Sequence, residues 1–154
     1  MIREEAPEAL KEAISWEDSF NVILAIIDVA GKKQDPKQLL KYEVLAIHTN
    51  LLDSEVYNGG FHQFFRNKSG DYALKILDSL REIGSYHITA LLETAISVFP
   101  SIYVFEEENK RFEFMQKMEE KDLRKWRELS QAYYQSPESI YDMVISYTRT
   151  IYDL

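Results

Sequence analysis

The run ALKILDSLREIGSYHITALLETAISVF, residues 73–99, shows how the chain is built. Apolar residues recur in it every three or four positions, which is the spacing of one face of an α-helix. Gly84 interrupts the pattern and is suited to end the first helix, and Ser85 is suited to start the next one. The run therefore predicts two consecutive helices. The predicted buried faces are Ala73, Ile76, Leu77, Leu80 and Ile83 in the first, and Ile88, Leu91, Leu92, Ala95 and Phe99 in the second.

The same spacing extends over most of the chain. Only five glycines and four prolines occur in 154 residues, so few residues break the helical pattern. We predict an all-α, compact single-domain fold of about six to eight helices over residues 1–154. The irregular segment 102–105 is interpreted as the entry to a helix, with a short buried extended piece as the alternative. The other predicted faces are Trp16, Phe20, Ile23, Ile27 and Ala30; Leu40, Val44, Ile47 and Leu51; Phe112, Met115, Met118, Leu123, Trp126 and Tyr133; and Ile140, Met143, Val144, Tyr147 and Ile151.

Composition excludes several classes of function. The chain has no cysteine, which excludes disulfides, cysteine-ligated metals and thiol nucleophiles. Its net charge of −8 disfavours direct binding to nucleic acid, because contact with phosphates needs a basic surface. The acidic N-terminus does not resemble a signal peptide, and no apolar run is long enough to span a membrane. A cytoplasmic location is the default expectation.

The segment EVYNGGFHQFFRNKSG, residues 55–70, has an unusual composition. It contains three of the five glycines, and Asn58-Gly59-Gly60 permits positive φ angles and predicts a tight turn. The turn is expected between a helix that ends near Leu52 and a short helix at residues 61–65. Three phenylalanines at helical spacing are predicted to anchor that short helix in the core, namely Phe61, Phe64 and Phe65. The polar residues Glu55, Asn58 and Gln63 are interpreted as satisfying helix ends and backbone groups at the turn.

The same segment resembles the signature of a bacterial family that shares the C-terminal domain of the Neisseria DNA-mimic protein, formerly a domain of unknown function. The matching residues are Glu55, Asn58, Gly59, Gly60, Phe61, Gln63, Phe64, Phe65, Asn67, Ser69 and Gly70. The resemblance covers about residues 39–151, so that residues 1–35 form an N-terminal helical extension. It implies an all-α fold, no known enzymatic activity, and, for the named member, a dimer whose acidic surface imitates DNA toward a transcription factor.

Mimicry of DNA requires carboxylates that are spaced like phosphates, with few cations among them. Glu4, Glu8 and Glu12 would share one face if their segment is helical, and they form the candidate acidic contact face. Against this, residues 106–128 contain eight acidic and seven basic residues, which is typical of a solvated helix with ion pairs. A plain acidic surface therefore stays the main alternative to mimicry.

The sequence also allows a hydrolase-like site and a metal site as alternatives. A hydrolase-like site at the Asn58-Gly59-Gly60 loop would need Glu55, His62 and Gln63 to converge, but no nucleophile has a recognisable spacing. A metal site would have to use His48, His62 or His87, and His48 could meet Glu55 across a helix end. No pair of histidines, however, has the spacing of a helical ligand motif. We therefore assign no catalytic residue, metal or cofactor.

The sequence favours a non-enzymatic acidic module that binds a protein partner. The expected partner is basic or DNA-binding, and a homodimer is compatible with the resemblance. An immunity-type protein that neutralises a toxin would look the same, because it too needs only an acidic contact face. Tyr133, Tyr134 and Tyr141 are candidates for an interface, and the stripe Phe112, Met115 and Met118 is read either as core or as a partner groove.

Overall fold

Helices make up 77% of the structure. It is a computed structural model that describes residues 5–100, 106–152 and 154. This part of the chain contains eight α-helices and no β-strand, which confirms the all-α prediction. The helices are α1 (Glu8–Ile14), α2 (Ser19–Gly31), α3 (Lys41–Arg66), α4 (Ala73–Glu82), α5 (His87–Ile96), α6 (Glu108–Gln116), α7 (Glu120–Tyr134) and α8 (Ile140–Ile151). Short 3₁₀ turns, Pro36–Gln38 and Lys68–Tyr72, lie on either side of α3.

Helix α3 is the central element of the fold. It is the longest helix, and α2, α4, α6, α7 and α8 all pack against it. Its first turn is fixed by Glu43, whose buried carboxylate accepts the N–H of Leu40 at 2.8 Å and the Lys33 ammonium at 2.6 Å. The buried side chains of all eight helices form one connected core cluster, to which α1 contributes Leu10 and Ala13.

The predicted apolar faces of α4 and α5 are confirmed, since all ten of their residues are buried. The junction between these helices is also as predicted at Gly84, which has φ +80°. The N–H groups of Gly84 and Ser85 donate to the carbonyls of Arg81 and Leu80, the two bonds of a Schellman motif.

The prediction that Ser85 starts the next helix is wrong. Helix α5 begins at His87, and its free N–H groups are capped by a residue about 50 positions away. The Glu138 carboxylate accepts the N–H groups of Tyr86, His87 and Ile88 at 2.7–3.1 Å, together with the Ser85 hydroxyl at 2.6 Å. Burial raises the pKa of Glu138, but these hydrogen bonds outweigh it and the net shift of the pKa is downward.

The predicted faces of α2 and α3 need correction. Trp16 precedes α2, and Trp16 and Phe20 are 57% and 48% exposed, while Val22 and Ile26 take core positions beside Ile23 and Ala30. In α3 the row Leu40, Val44, Ile47 and Leu51 is only partly covered or exposed. The buried row contains Tyr42, Leu45, Thr49, Leu52 and Val56 instead. Both helices are present, but the face that each one buries differs from the predicted face.

The later helices also differ in detail. In α6 the buried residues are Arg111 and Met115, while Phe112 is 37% exposed and lies under the Arg66 guanidinium, 4.3 Å from the ring centre. Trp126, Tyr133, Ile140 and Val144 are buried as predicted. Helix α8 begins at Ile140, after a Ser139 cap. The predicted helix entry at 102–105 lies outside the described residues.

Candidate protein-binding surface

Two glycines bend α3 near its end. The helix does not stop near Leu52 but continues to Asn58, where Gly59 (φ −158°, ψ 22°) and Gly60 (φ 70°, ψ −173°) leave helical geometry. The conformation of Gly60 is open almost only to glycine, which confirms the predicted positive φ. After the bend, the Phe61 N–H donates to the Ser130 hydroxyl of α7 at 3.0 Å. That bond fixes the direction in which the last turn of α3 resumes.

The three phenylalanines anchor this last turn, as predicted. Phe61, Phe64 and Phe65 are each 0% exposed. The ring of Phe65 stacks on Trp126 of α7, with ring centres 5.1 Å apart, and meets Phe99 edge to face at 5.0 Å. These contacts tie the end of α3 to α7 and to the segment that follows α5.

Three polar side chains of the segment bind one another: Glu55, Gln63 and Asn67. The Glu55 carboxylate accepts the Gln63 amide at 3.0 Å and the Asn67 amide at 2.8 Å, so that it bridges the glycine bend. The expectation that Gln63 bonds to backbone groups is therefore wrong. Asn58 is exposed, and its side chain forms no hydrogen bond within the part of the chain that the structure describes.

Sequence reasoning missed Arg111, which completes this segment. It is 0% exposed. Its guanidinium donates to the Phe65 carbonyl at 2.8 Å, the Asn67 carbonyl at 3.0 Å and the Asp71 carboxylate at 2.6 Å. A Cβ on Gly70 would lie 2.7 Å from Arg111 Nε, so the glycine makes room for the guanidinium. The only signal in the sequence was the apolar spacing of α6, and it pointed to Phe112.

We expect Glu55→Ala and Gln63→Ala each to lower the free energy of unfolding by about 1–3 kcal/mol. Glu55→Ala removes both hydrogen bonds that span the glycine bend, and Gln63→Ala removes one of them, so that in each variant a half-buried side chain loses a partner. Thermal unfolding measures the effect, and Asn58→Ala is the matched control because that side chain has no such bond. An unchanged melting temperature in both variants contradicts a structural role for the pair.

The groups of the hydrolase-like alternative do not converge. Glu55 is held by Gln63 and Asn67, whereas His62 lines a separate cavity of about 400 Å³ with Trp126, Ser130 and Tyr134. The Ser130 hydroxyl in that cavity donates to the Trp126 carbonyl at 2.7 Å and accepts the Phe61 N–H, so it is engaged on both sides. The cavity therefore contains no hydroxyl paired with a base.

His48 and Glu55 also lie apart. His48 Nδ1 is 2.7 Å from the Ser79 hydroxyl of α4, and burial lowers the pKa of this histidine. His87 pairs with the Ser136 hydroxyl at 2.7 Å. Across the described residues, no three histidine or carboxylate side chains are grouped as a metal site would require.

The acidic face proposed from the N-terminus is only partly present. Glu4 lies outside the described residues, and α1 begins at Glu8. Glu8 and Glu12 are both exposed, but Lys11 lies between them and contacts Glu8 at 3.5 Å and Glu5 at 3.7 Å. A cation within the row makes it a poor imitation of a phosphate array.

A different surface combines carboxylates with exposed aromatic rings. We call it the α8 surface: Trp16, Glu17, Asp18 and Phe20 at the start of α2, Glu138, Tyr141 and Asp142 at the start of α8, and Asp53 and Tyr57 on α3. The ring centres of Phe20 and Tyr141 lie 6.0 Å apart, and the Ser19 hydroxyl donates to Asp142. These two contacts join the part of the surface at the start of α2 to the part at the start of α8. Trp16, Glu17 and Asp142 also line a cavity between α2 and α8, and Arg149 is the one basic residue among the residues that line it.

Part of this surface has a structural explanation. Asp18 caps α2 by accepting the Asn21 N–H at 3.0 Å, Glu138 caps α5, and Asp142 lies in the first turn of α8, where the helix dipole favours negative charge. Glu17 and Asp53 have no capping role. None of the ion pairs between described residues includes any of these five carboxylates.

Asp53 lies in a cavity of about 280 Å³ together with Tyr57, Tyr133 and Tyr141. The Tyr133 hydroxyl donates to Asp53 Oδ1 at 2.8 Å, and the Tyr141 hydroxyl donates to Asn50 at 3.1 Å. Burial raises the pKa of Asp53, partly offset by the tyrosine hydroxyls, and burial beside this carboxylate raises the pKa values of Tyr133 and Tyr141. The hydroxyls of the interface candidates Tyr133 and Tyr134 form hydrogen bonds within the chain, the first to Asp53 and the second to the Val56 carbonyl at 2.7 Å.

No described helix is both long and apolar enough to cross a membrane. Comparison with known proteins gives one match, to the model of the family described as DMP19-like protein, over residues 37–151. Searches of the curated proteins and of the solved structures find no match. The matched range contains the glycine bend, its phenylalanine anchors and Arg111, and it covers most of the chain. The chain belongs to the DMP19-like protein family.

Proposed function

We propose that this chain is a non-enzymatic acidic module that binds a basic, DNA-binding protein through the α8 surface. The observation that carries the proposal is the composition of that surface. Five carboxylates from three separate parts of the chain lie around the start of α8, and no lysine or arginine of the described residues pairs with them. The resemblance to the DNA-mimic protein supports the same class of partner.

The exposed rings add a second argument. Trp16, Phe20 and Tyr57 are 57%, 48% and 58% exposed, and they are interleaved with the carboxylates. Exposed aromatic residues are enriched in the centres of protein interfaces, where they supply apolar contact area. Carboxylates around such rings steer a basic partner and suppress contact with acidic ones.

The test compares two double variants that remove the same charge. Glu17→Gln with Asp142→Asn removes two of the five charges of the α8 surface. Glu113→Gln with Glu128→Gln removes two charges from exposed carboxylates on α6 and α7 that form no ion pair within the described residues. The immobilised chain is used to capture proteins from a bacterial lysate, and the affinity of each purified partner is measured at several salt concentrations.

The expected partner is a basic DNA-binding protein that duplex DNA displaces from the chain. The α8-surface variant should lose about tenfold in affinity, and the control variant should change by less than about twofold, because remote exposed charges are screened. Equal losses in the two variants, or partners that DNA does not displace, would contradict the proposal.

A further inference from the structure

The Asp53 cavity has an opening and an unneutralised charge. The ring of Tyr57 is 58% exposed at its rim, and its centre lies 5.8 Å from that of Tyr133, which is buried behind it. Asp53 is half-buried and has hydrogen bonds from neutral hydroxyls only, so its charge lacks a countercharge within the described chain. A half-buried carboxylate is costly without a cation, and a bound cation would offset that cost.

The walls of the cavity are suited to an alkyl chain that ends in a cation. Ile88 and Ile140 line one part of it, and the rings of Tyr57, Tyr133 and Tyr141 line another. Apolar walls can pack against methylene groups, and tyrosine faces attract a cation through the ring quadrupole. The volume of about 280 Å³ lies below the range of ordinary small-molecule sites, so it is suited to one side chain.

The hydrogen bonds of Asp53 favour an ammonium group over a guanidinium group. Arginine binds a carboxylate best with two parallel bonds to both oxygens. Asp53 Oδ1 already accepts the Tyr133 hydroxyl at 2.8 Å, which disfavours a two-oxygen fork. A compact ammonium needs only one carboxylate oxygen.

We propose that the Asp53 cavity is a socket for a lysine side chain of the protein partner. This inference rests on the proposed function, which it deepens by naming the residue type that the partner inserts. Glu138 lines the same cavity, but its carboxylate holds the start of α5, so Asp53 is the group that receives the ammonium.

The test is a titration with an oligolysine peptide, followed by NMR of the whole chain. Asp53→Asn removes the charge but keeps an oxygen for the Tyr133 hydroxyl. Asp28→Asn is its matched control, because it removes the same charge from an exposed residue that pairs with Lys32 on α2. Tyr57→Leu removes the rim ring, and Tyr57→Phe keeps it. Lysine-acetylated peptide, oligoarginine and a linear polyamine serve as alternative ligands.

The socket predicts that Asp53→Asn weakens oligolysine binding at least about tenfold and Asp28→Asn by less than about twofold. Tyr57→Leu should weaken oligolysine binding several-fold, and the affinity of Tyr57→Phe should stay near that of the unmodified chain. In the unmodified chain, the NMR chemical shifts that change on binding should be those of residues 53, 57, 133 and 141. The acetylated peptide should not bind, and oligoarginine and the polyamine should bind less tightly than oligolysine.

Three results would overturn the socket. Equal losses in Asp53→Asn and Asp28→Asn would show binding to the overall charge, which removes the socket and leaves the acidic-module proposal standing. Tighter binding of the polyamine or of oligoarginine would refute the assignment to lysine. Absence of oligolysine binding would refute the socket as well, while the capture experiment would decide the proposed function separately.

Discussion

Arg111→Ala is expected to lower the free energy of unfolding by about 2–5 kcal/mol. The guanidinium is fully buried and holds the carbonyl of Phe65, in the last turn of α3, and that of Asn67, just after the helix. Without it, each of those carbonyls loses a donor, Asp71 loses its cation, and a cavity opens beside Gly70. Chemical denaturation monitored by circular dichroism measures the change.

The neighbouring residue supplies the control for Arg111. Lys110 lies on the same helix, its side chain is 52% exposed, and it pairs only with the exposed Glu107 at 3.3 Å. Lys110→Ala should therefore change the free energy of unfolding by no more than about 0.5 kcal/mol. Arg111→Lys keeps the charge but not the planar fork, so an intermediate loss is expected. If Arg111→Ala is as mild as Lys110→Ala, the guanidinium is not what closes this end of α3.

The parts of the fold that could be predicted are those fixed by local sequence. In residues 73–99 the apolar row is narrow, its flanks are polar, and Gly84 separates the helices. Under those conditions the buried face can be predicted, and all ten residues predicted to be buried are buried. In α3 the rows are crowded: Leu45 and Leu52 lie next to Val44 and Leu51. Periodicity alone then predicts the helix but not which of two adjacent apolar rows faces the core.

The rest depends on contacts between distant residues. Glu138 caps α5 from about 50 residues away, and Arg111 reaches the end of α3 across more than 40 positions. Capping rules describe residues next to a helix end, so they assigned the start of α5 to Ser85. Asp53, Tyr133 and Tyr141 are likewise scattered along the sequence. Their convergence follows from the packing of α3, α7 and α8, and no local sequence pattern predicts it.

Gly60→Val should lower the free energy of unfolding by about 2–5 kcal/mol. Two costs combine at this position. The backbone has φ 70° and ψ −173°, a conformation that a β-branched residue strongly resists. In addition, a Cβ would lie 2.8 Å from the Ser130 hydroxyl that holds the Phe61 N–H. Relieving that contact moves α7 away from α3 or breaks the bond after the bend.

Gly84 allows the two costs to be separated. It also has positive φ, at +80°, but nothing lies within 4 Å of a Cβ built on it. Gly84→Val therefore carries only the backbone strain of the left-handed region, about 1–2 kcal/mol. Gly60→Val combined with Ser130→Ala should recover part of the loss at Gly60, because the smaller side chain relieves the contact even though the hydrogen bond is gone. If Gly60→Val and Gly84→Val are equally destabilising and Ser130→Ala recovers nothing, the contact between the bend and α7 contributes nothing, and backbone conformation alone explains the glycine.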